Sequence, residues 1–358
     1  MSAQNSTRSE VARLQVFFEN AGAQLIETDI LQPADILLDL YGEDIRARAF
    51  VTHDPLNGEQ MLRPDFTVPV VQMHMNGGAE PARYTYNGKV FRRQEDDRQR
   101  PSEYVQVGYE VFDRSNPAAA DAEVFSLFSQ VLAGQSLRPV TGDIAILRAA
   151  VSGLSTTDRR KSALMRHIWR PDRFRALLDR FGGVSAVPQA RVDLLSNPDV
   201  LDGISKITGA RTLDEITGRI GALQQDAQDP PISQQQVALL DRILALKTTS
   251  VLALAQLSEF AIEMPALQAS VQSFAARLDA LSGHGVNVDT LDFEASYGRT
   301  SMEYYDGFVF GFYAEANPEV PPIATGGRYD ALTQVLGQGR SIPAVGGVIR
   351  PELYGAKT

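Results

Sequence analysis

The sequence predicts an α+β fold, an antiparallel sheet flanked by helices and interrupted by a small helical insertion. Three observations carry that expectation. Strand-like runs separated by turn signals fill residues 47–112, a block rich in basic helical patterns fills 150–229, and strand patterns return after residue 290. Nothing alternates strand, helix and parallel strand, and no G-x-G-x-x-G opens a helix, so a dinucleotide-binding fold is disfavoured.

In chain order, residues 8–21 place Val11, Leu14, Phe17 and Phe18 at helical spacing, and Gly22 follows as a stop. A short apolar run then ends at Pro33, as suits an edge strand. Strands are expected at Ala47 to Thr52, Gln60 to Leu62, Ala82 to Phe91 and Tyr104 to Phe112, with turns at Asp54-Pro55 and Asn57-Gly58. Asp121 opens a helical pattern. Residues 150–229 read as a helical insertion, leaving 1–149 and 230–358 as the core. Asp229-Pro230-Pro231 breaks the insertion, and Ser233 is placed to cap a long helical region over 234–281. Strand patterns return at Leu291 to Phe293, Phe308 to Ala314 and Ile342 to Ile349. Gly326-Gly327 marks a tight turn or a close backbone approach.

A chain of 358 residues, 44% hydrophobic, can bury a large core without staples. It has no cysteine, which excludes disulfides, thiolate ligands and a thiol nucleophile and suits a reducing compartment. Neither a signal peptide nor an apolar span of bilayer length is evident, so the expected location is the cytoplasm. A net charge of −10 and a pI near 5.0 argue against a nucleic-acid partner. His53, His74, His167 and His284 show no metal-ligand spacing, and no cofactor is expected. The basic stretch from Arg159 to Arg180 reads as a solvated helix face.

Separated segments, in the same order, resemble the class II histidyl-tRNA synthetase family. FFENAGAQLIETDILQPADI is similar to motif 1, which implies a homodimer interface. Leu62-Arg63-Pro64-Asp65-Phe66-Thr67 looks like the substrate loop L-R-P-E-x-T. RYTYNGKVFRRQEDDRQRPSEYVQVGYEVF is similar to the motif 2 hairpin, with Phe91-Arg92 in the first strand and Gln106, Gly108 and Glu110 in the second. Thr300-Ser301-Met302-Glu303-Tyr304-Tyr305 and Gly326-Gly327-Arg328-Tyr329-Asp330 match two further segments, and Ser341 to Gly346 opens motif 3.

A zwitterionic amino acid needs an acceptor for its ammonium, a cation for its carboxylate and, for histidine, an acceptor for the imidazole N–H. The resemblance implies that Asp65, Thr67 and Gln106 hold the ammonium end, Arg92 the carboxylate region, and Glu110 and Tyr305 the imidazole, with Tyr329 lining the pocket. Adenylation needs further cations around the α-phosphate, and there the sequence departs from the family. Thr300 stands for the histidine-specific arginine, with Arg299 next to it and, if on a strand, facing away; Gln94 stands for the adenine-reading glutamate, and Leu353 for the ATP-clamping arginine. Tyr304 and Tyr305, as strand neighbours, should not both point inward.

Without an intact adenylation site, and ending at Thr358 with no anticodon-binding domain, the sequence resembles the regulatory subunits of ATP phosphoribosyltransferase. That resemblance implies a non-catalytic subunit of histidine biosynthesis. It would support a short catalytic subunit, take histidine as effector, and form a homodimer within a larger hetero-oligomer. The alternative is a free-standing histidine-activating enzyme in which Arg299 or Arg350 replaces the missing cations.

Overall fold

The structure, a computed structural model, describes residues 3–34, 47–94, 101–197, 200–202, 208–299, 304–315 and 320–353. Elements are numbered among these. The first half of the chain forms α1 (Ala3–Asn20), β1 (Gln24–Leu25), β2 (Leu31–Pro33), β3 (Val51–Asp54), β4 (Gly58–Leu62), α2 (Thr67–Met75), β5 (Ala82–Phe91), β6 (Glu103–Phe112), α3 (Pro117–Val131), β7 (Leu137–Asp143) and α4 (Ile144–Ser152). Four helices follow: α5 (Asp158–Arg166), α6 (Pro171–Phe181), α7 (Gln189–Ser196) and α8 (Leu213–Gln228). The remainder is α9 (Gln234–Leu244), β8 (Lys247–Thr249), α10 (Ser250–Glu263), α11 (Gln268–Gly283), β9 (Asp292–Glu294), β10 (Phe308–Ala314), β11 (Ala324–Arg328), α12 (Asp330–Leu336) and β12 (Ala344–Ile349).

Nine strands form one sheet in the order β1-β5-β6-β12-β11-β10-β7-β9-β8, and β2-β4-β3 form a small second sheet. The large sheet is mixed rather than wholly antiparallel, because β1 joins β5 and β7 joins β9 in parallel. One face is covered by helices. Phe18 of α1 stacks on Tyr109 of β6 at 5.2 Å, and Phe125 and Phe128 of α3 meet Phe310 of β10. The other face carries α2, whose buried His74 meets the Tyr84 hydroxyl of β5 at 3.1 Å.

Local chemistry sets the boundaries. Leu14 and Phe18 of α1 are fully buried, and Gly22, at φ 91°, reverses the chain after it as expected. The helix expected from Asp121 begins a turn earlier: Pro117 occupies its first position and Asn116 Oδ1 accepts from Ala119 N at 3.1 Å. Ser233 caps α9 by accepting from Gln236 N at 3.3 Å. The long helix expected over 234–281 is three helices. Lys247 to Thr249 form a short strand paired with β9, and Met264-Pro265 interrupts α10 from α11. The strand expected from Ala47 starts at Val51, and that expected from Ile342 starts at Ala344, after Pro343.

In α6, Phe174, Leu178 and Phe181 are buried at helical spacing. The solvated-face reading of the basic stretch fails at Arg160, which is 5% exposed and paired with Asp226 at 2.7 Å. No helix among the described residues is long and apolar enough to cross a membrane.

Candidate functional site

Alternation along β6 turns Gln106, Gly108 and Glu110 to the face that carries α2. Glu110 is fully buried. Its Oε1 accepts from Thr67 Oγ1 at 3.1 Å and from the Tyr86 hydroxyl at 2.7 Å, and its Oε2 accepts from the Tyr329 hydroxyl at 2.6 Å. Thr67 opens α2, Tyr86 comes from β5, and Tyr329 follows β11, so three separate elements converge on one carboxylate. Two glycines make room for it. A Cβ on Gly346 of β12 would overlap Glu110 Oε2, and one on Gly108 would overlap the Tyr86 ring.

Burial pushes the Glu110 carboxyl up to about 7; the three hydroxyls oppose this, and nearby Asp65 adds to it. Burial, and then the Glu110 charge, drive the Tyr86 and Tyr329 phenols well above their ordinary range, so both stay protonated donors. Tyr305 is raised by the same causes, with Asp65 contributing. Tyr304 and Tyr305 are both buried and pack edge to face at 5.0 Å, contrary to the strand expectation, because they lie in the turn before β10. Gly327 clears the space beside the Tyr305 ring, so the glycine pair lies within β11 at a close approach and not in a tight turn.

Arg92 closes another side. Its Nε donates to Pro64 O at 2.8 Å and its Nη2 lies 3.7 Å from Asp65 Oδ2. Arg63 staples the same loop, donating to Lys89 O at 3.0 Å and stacking 3.9 Å over Phe66. Phe66 in turn stacks on Tyr86 at 4.3 Å. Gln106 is 1% exposed, and its Oε1 has no hydrogen-bond partner among the described residues. Of the seven expected residues, Thr67, Glu110 and Tyr329 are directly bonded and Asp65 and Arg92 are paired. Gln106 shares their face, and Tyr305 lies within electrostatic reach of Glu110 and Asp65.

Arg299 is in a turn, not on a strand. Its Nε donates to Ile168 O at 2.7 Å and its guanidinium lies 4.9 Å over Phe174 of α6, which ties it to the helical block and not to the pocket. Arg350 donates to Pro322 O at 2.8 Å; burial lowers its pKa, Arg92 pushes the same way, and Tyr104 and Tyr305 oppose. Gln94 donates to Pro101 O at 3.1 Å, and Leu353 ends a short turn from Pro351. The comparison at Thr300 falls outside the described residues. No cluster of potential metal ligands occurs among the described residues.

A buried carboxylate ringed by hydroxyls, with an open amide acceptor and an arginine at its edge, can accept a polar N–H donor and place an anion beside it. The sequence reading missed Tyr86. Its signal was available in an aromatic residue of one hairpin strand facing the glycine of Gln106-x-Gly108-x-Glu110 on the other.

The mixed sheet and its motifs define the fold of the class II aminoacyl-tRNA synthetase core. A profile of the histidyl-tRNA synthetase family matches residues 2–352, and the chain belongs to that family. Within it, a protein of Mesorhizobium japonicum called ATP phosphoribosyltransferase regulatory subunit is 31% identical, covering 94% of this chain and 93% of its own. One of the same name from Brucella ovis is 29% identical over 93% of each chain. Among solved structures, an ATP phosphoribosyltransferase regulatory subunit/histidyl-tRNA synthetase of Bacillus halodurans superposes with a TM-score of 0.68 at 19% identity, covering 98% of this chain and 78% of that one. A histidyl-tRNA synthetase of Nostoc gives 0.65 at 15% identity, covering 99% and 72%.

Proposed function

We propose that this chain is a regulatory subunit of ATP phosphoribosyltransferase. In this reading it joins a short catalytic subunit, has no adenylating activity of its own, and holds histidine in the Glu110 pocket as the feedback effector. The observation that carries the reading is the Glu110 cluster, a buried carboxylate with three hydroxyl donors at the family's motif positions and suited to an imidazole N–H, on a chain whose relatives bear the regulatory name. Asp65, Thr67 and Gln106 take the ammonium group, Arg92 the carboxylate, and Glu110, with Tyr305 and Tyr329, the ring. Residues 150–229 act as an insertion in the core, and motif 1 pairs two copies within the hetero-oligomer.

Adenylation is left out because Leu353 brings no cation to the motif 3 position and Arg299 is tied down elsewhere. The test is phosphoribosyl-ATP formation by a short-form catalytic subunit from the same source, with and without this chain, across a histidine titration. Activation, with histidine inhibition weakened at least tenfold by Glu110→Gln, supports the reading. Histidine-dependent ATP–pyrophosphate exchange by the isolated chain sinks it in favour of a histidine-activating enzyme.

A further inference from the structure

The helical block carries a second concave site with chemistry of its own. A cleft of about 1030 Å³ opens between α6, α7 and α8, at the upper end of the roughly 300–1,000 Å³ of small-molecule pockets. Arg160, Arg180 and Arg191 line it, and Arg159, outside the lining, donates to the Ala222 carbonyl. Arg160 is fully engaged, with Asp226 Oδ1 at 2.7 Å and Pro230 O at 2.7 Å. Arg180 and Arg191 have no carboxylate partner among the described residues.

The charges are therefore out of balance locally. Arg191, Arg160 and Arg159 all lie within electrostatic reach of Arg180, against the single carboxylate of Asp226, which Arg160 already occupies, in a chain of net charge −10. Although Arg180 is exposed, partial desolvation by the cleft walls and then the neighbouring charge of Arg191 make its cation harder to hold, with Arg160 and Arg159 adding to the repulsion and Asp226 opposing it. An arrangement in which cations repel one another across a cleft is stabilised by an anion between them. Guanidinium forks match phosphate oxygens in pairs, and Arg180 is already spread 4.6 Å over the Phe181 ring, which fixes its plane. Val187 and Pro231 supply an apolar wall for the body of a ligand.

We propose that this cleft binds a small phosphate ester, of nucleotide size, through Arg180 and Arg191. This site is separate from the Glu110 pocket and does not depend on the function read there.

The test is calorimetric titration of the whole chain with ADP, ribose 5-phosphate and inorganic pyrophosphate in turn. Saturable binding of ADP or ribose 5-phosphate, weakened tenfold or more by Arg180→Gln/Arg191→Gln and left unchanged by Glu110→Gln, supports the proposal; binding of pyrophosphate alone does not. A preference for ADP over pyrophosphate assigns the apolar wall to a base. Equal affinity assigns the site to the phosphates alone. Val187→Glu, at a residue 51% exposed, places a carboxylate at the mouth without touching the core and is expected to weaken binding to a similar degree. No saturable binding at millimolar concentration, binding indifferent to all three substitutions, or binding of an acidic peptide such as polyglutamate but of no phosphate overturns it.

Discussion

Two buried charge clusters lie on opposite faces of one sheet and are balanced in different ways. On the helix-covered face, Arg277 of α11 bonds Asp121 of α3 at 3.1 Å and Asp143, at the start of α4, at 2.5 Å. Arg328 of β11 reaches Asp121 at 2.7 Å and Asp330 at 3.0 Å. Burial opposes the Arg328 charge, yet Asp121 and Asp330 outweigh it and raise the pKa. On the other face, the donors to Glu110 among the described residues are all hydroxyls, and its pKa is pushed up to about 7. One cluster answers each charge with an opposite one and joins three helices to the sheet. The other leaves a carboxylate partly unanswered. Charge compensation marks the structural cluster, and its shortfall at Glu110 is what the proposed ligand would answer.

The comparison breaks first where compensation is removed. Arg277→Met should destabilise the fold by about 3–5 kcal/mol, because buried Asp143 loses its ionic partner and Asp121 is left with Arg328 alone. Urea unfolding measures this.

The opposite cluster should respond to pH. Glu110 has its folded pKa raised from 4.5 to about 7, so its contribution is fully present below the unfolded value and is lost as pH rises through the folded one. Between those values the chain should lose about 3 kcal/mol relative to Glu110→Gln. Parallel denaturation curves for the two proteins from pH 4.5 to 7.5 would contradict the assignment.

Gly346→Ala should cost about 1–3 kcal/mol by overpacking against Glu110, and Gly346→Ala/Glu110→Ala should recover part of that loss in thermal unfolding. The smallest effect belongs to Tyr86→Phe. It should cost about 1 kcal/mol at pH 5, where Glu110 is protonated, and about 2 kcal/mol above pH 7, where the lost bond goes to a charge. A cost independent of pH would mean that Glu110 does not titrate in this range.

The same two faces show what could be read from the sequence. β5 and β10 start and stop where their apolar runs do, and the carboxylate, threonine and tyrosine of the pocket lie on motif residues with local spacing. β7 was not expected. Its Pro139 speaks against a strand inside a sheet, but β9 pairs with β7 only at Val140 and Thr141, so the missing N–H falls beyond that ladder. Arg299 and the Asp121–Arg277–Asp143 cluster depend on partners more than 100 residues away in sequence, and no local pattern announces them. Gly346 sits in motif 3, yet its reason is Glu110, across a strand pair that only the register reveals.

The position of β12 bears on how the molecule is made. Among the described strands it leaves the ribosome last, yet it lies between β6 and β11 and hydrogen-bonds both. Until it arrives, the two halves of the sheet present open edges to each other and to other chains. The pairing that joins them spans more than 230 residues of sequence, from Val111 to Val345. Assembly of the sheet therefore waits for nearly complete synthesis, and a chain cut short before residue 344 should accumulate as two unsealed half-sheets prone to aggregate.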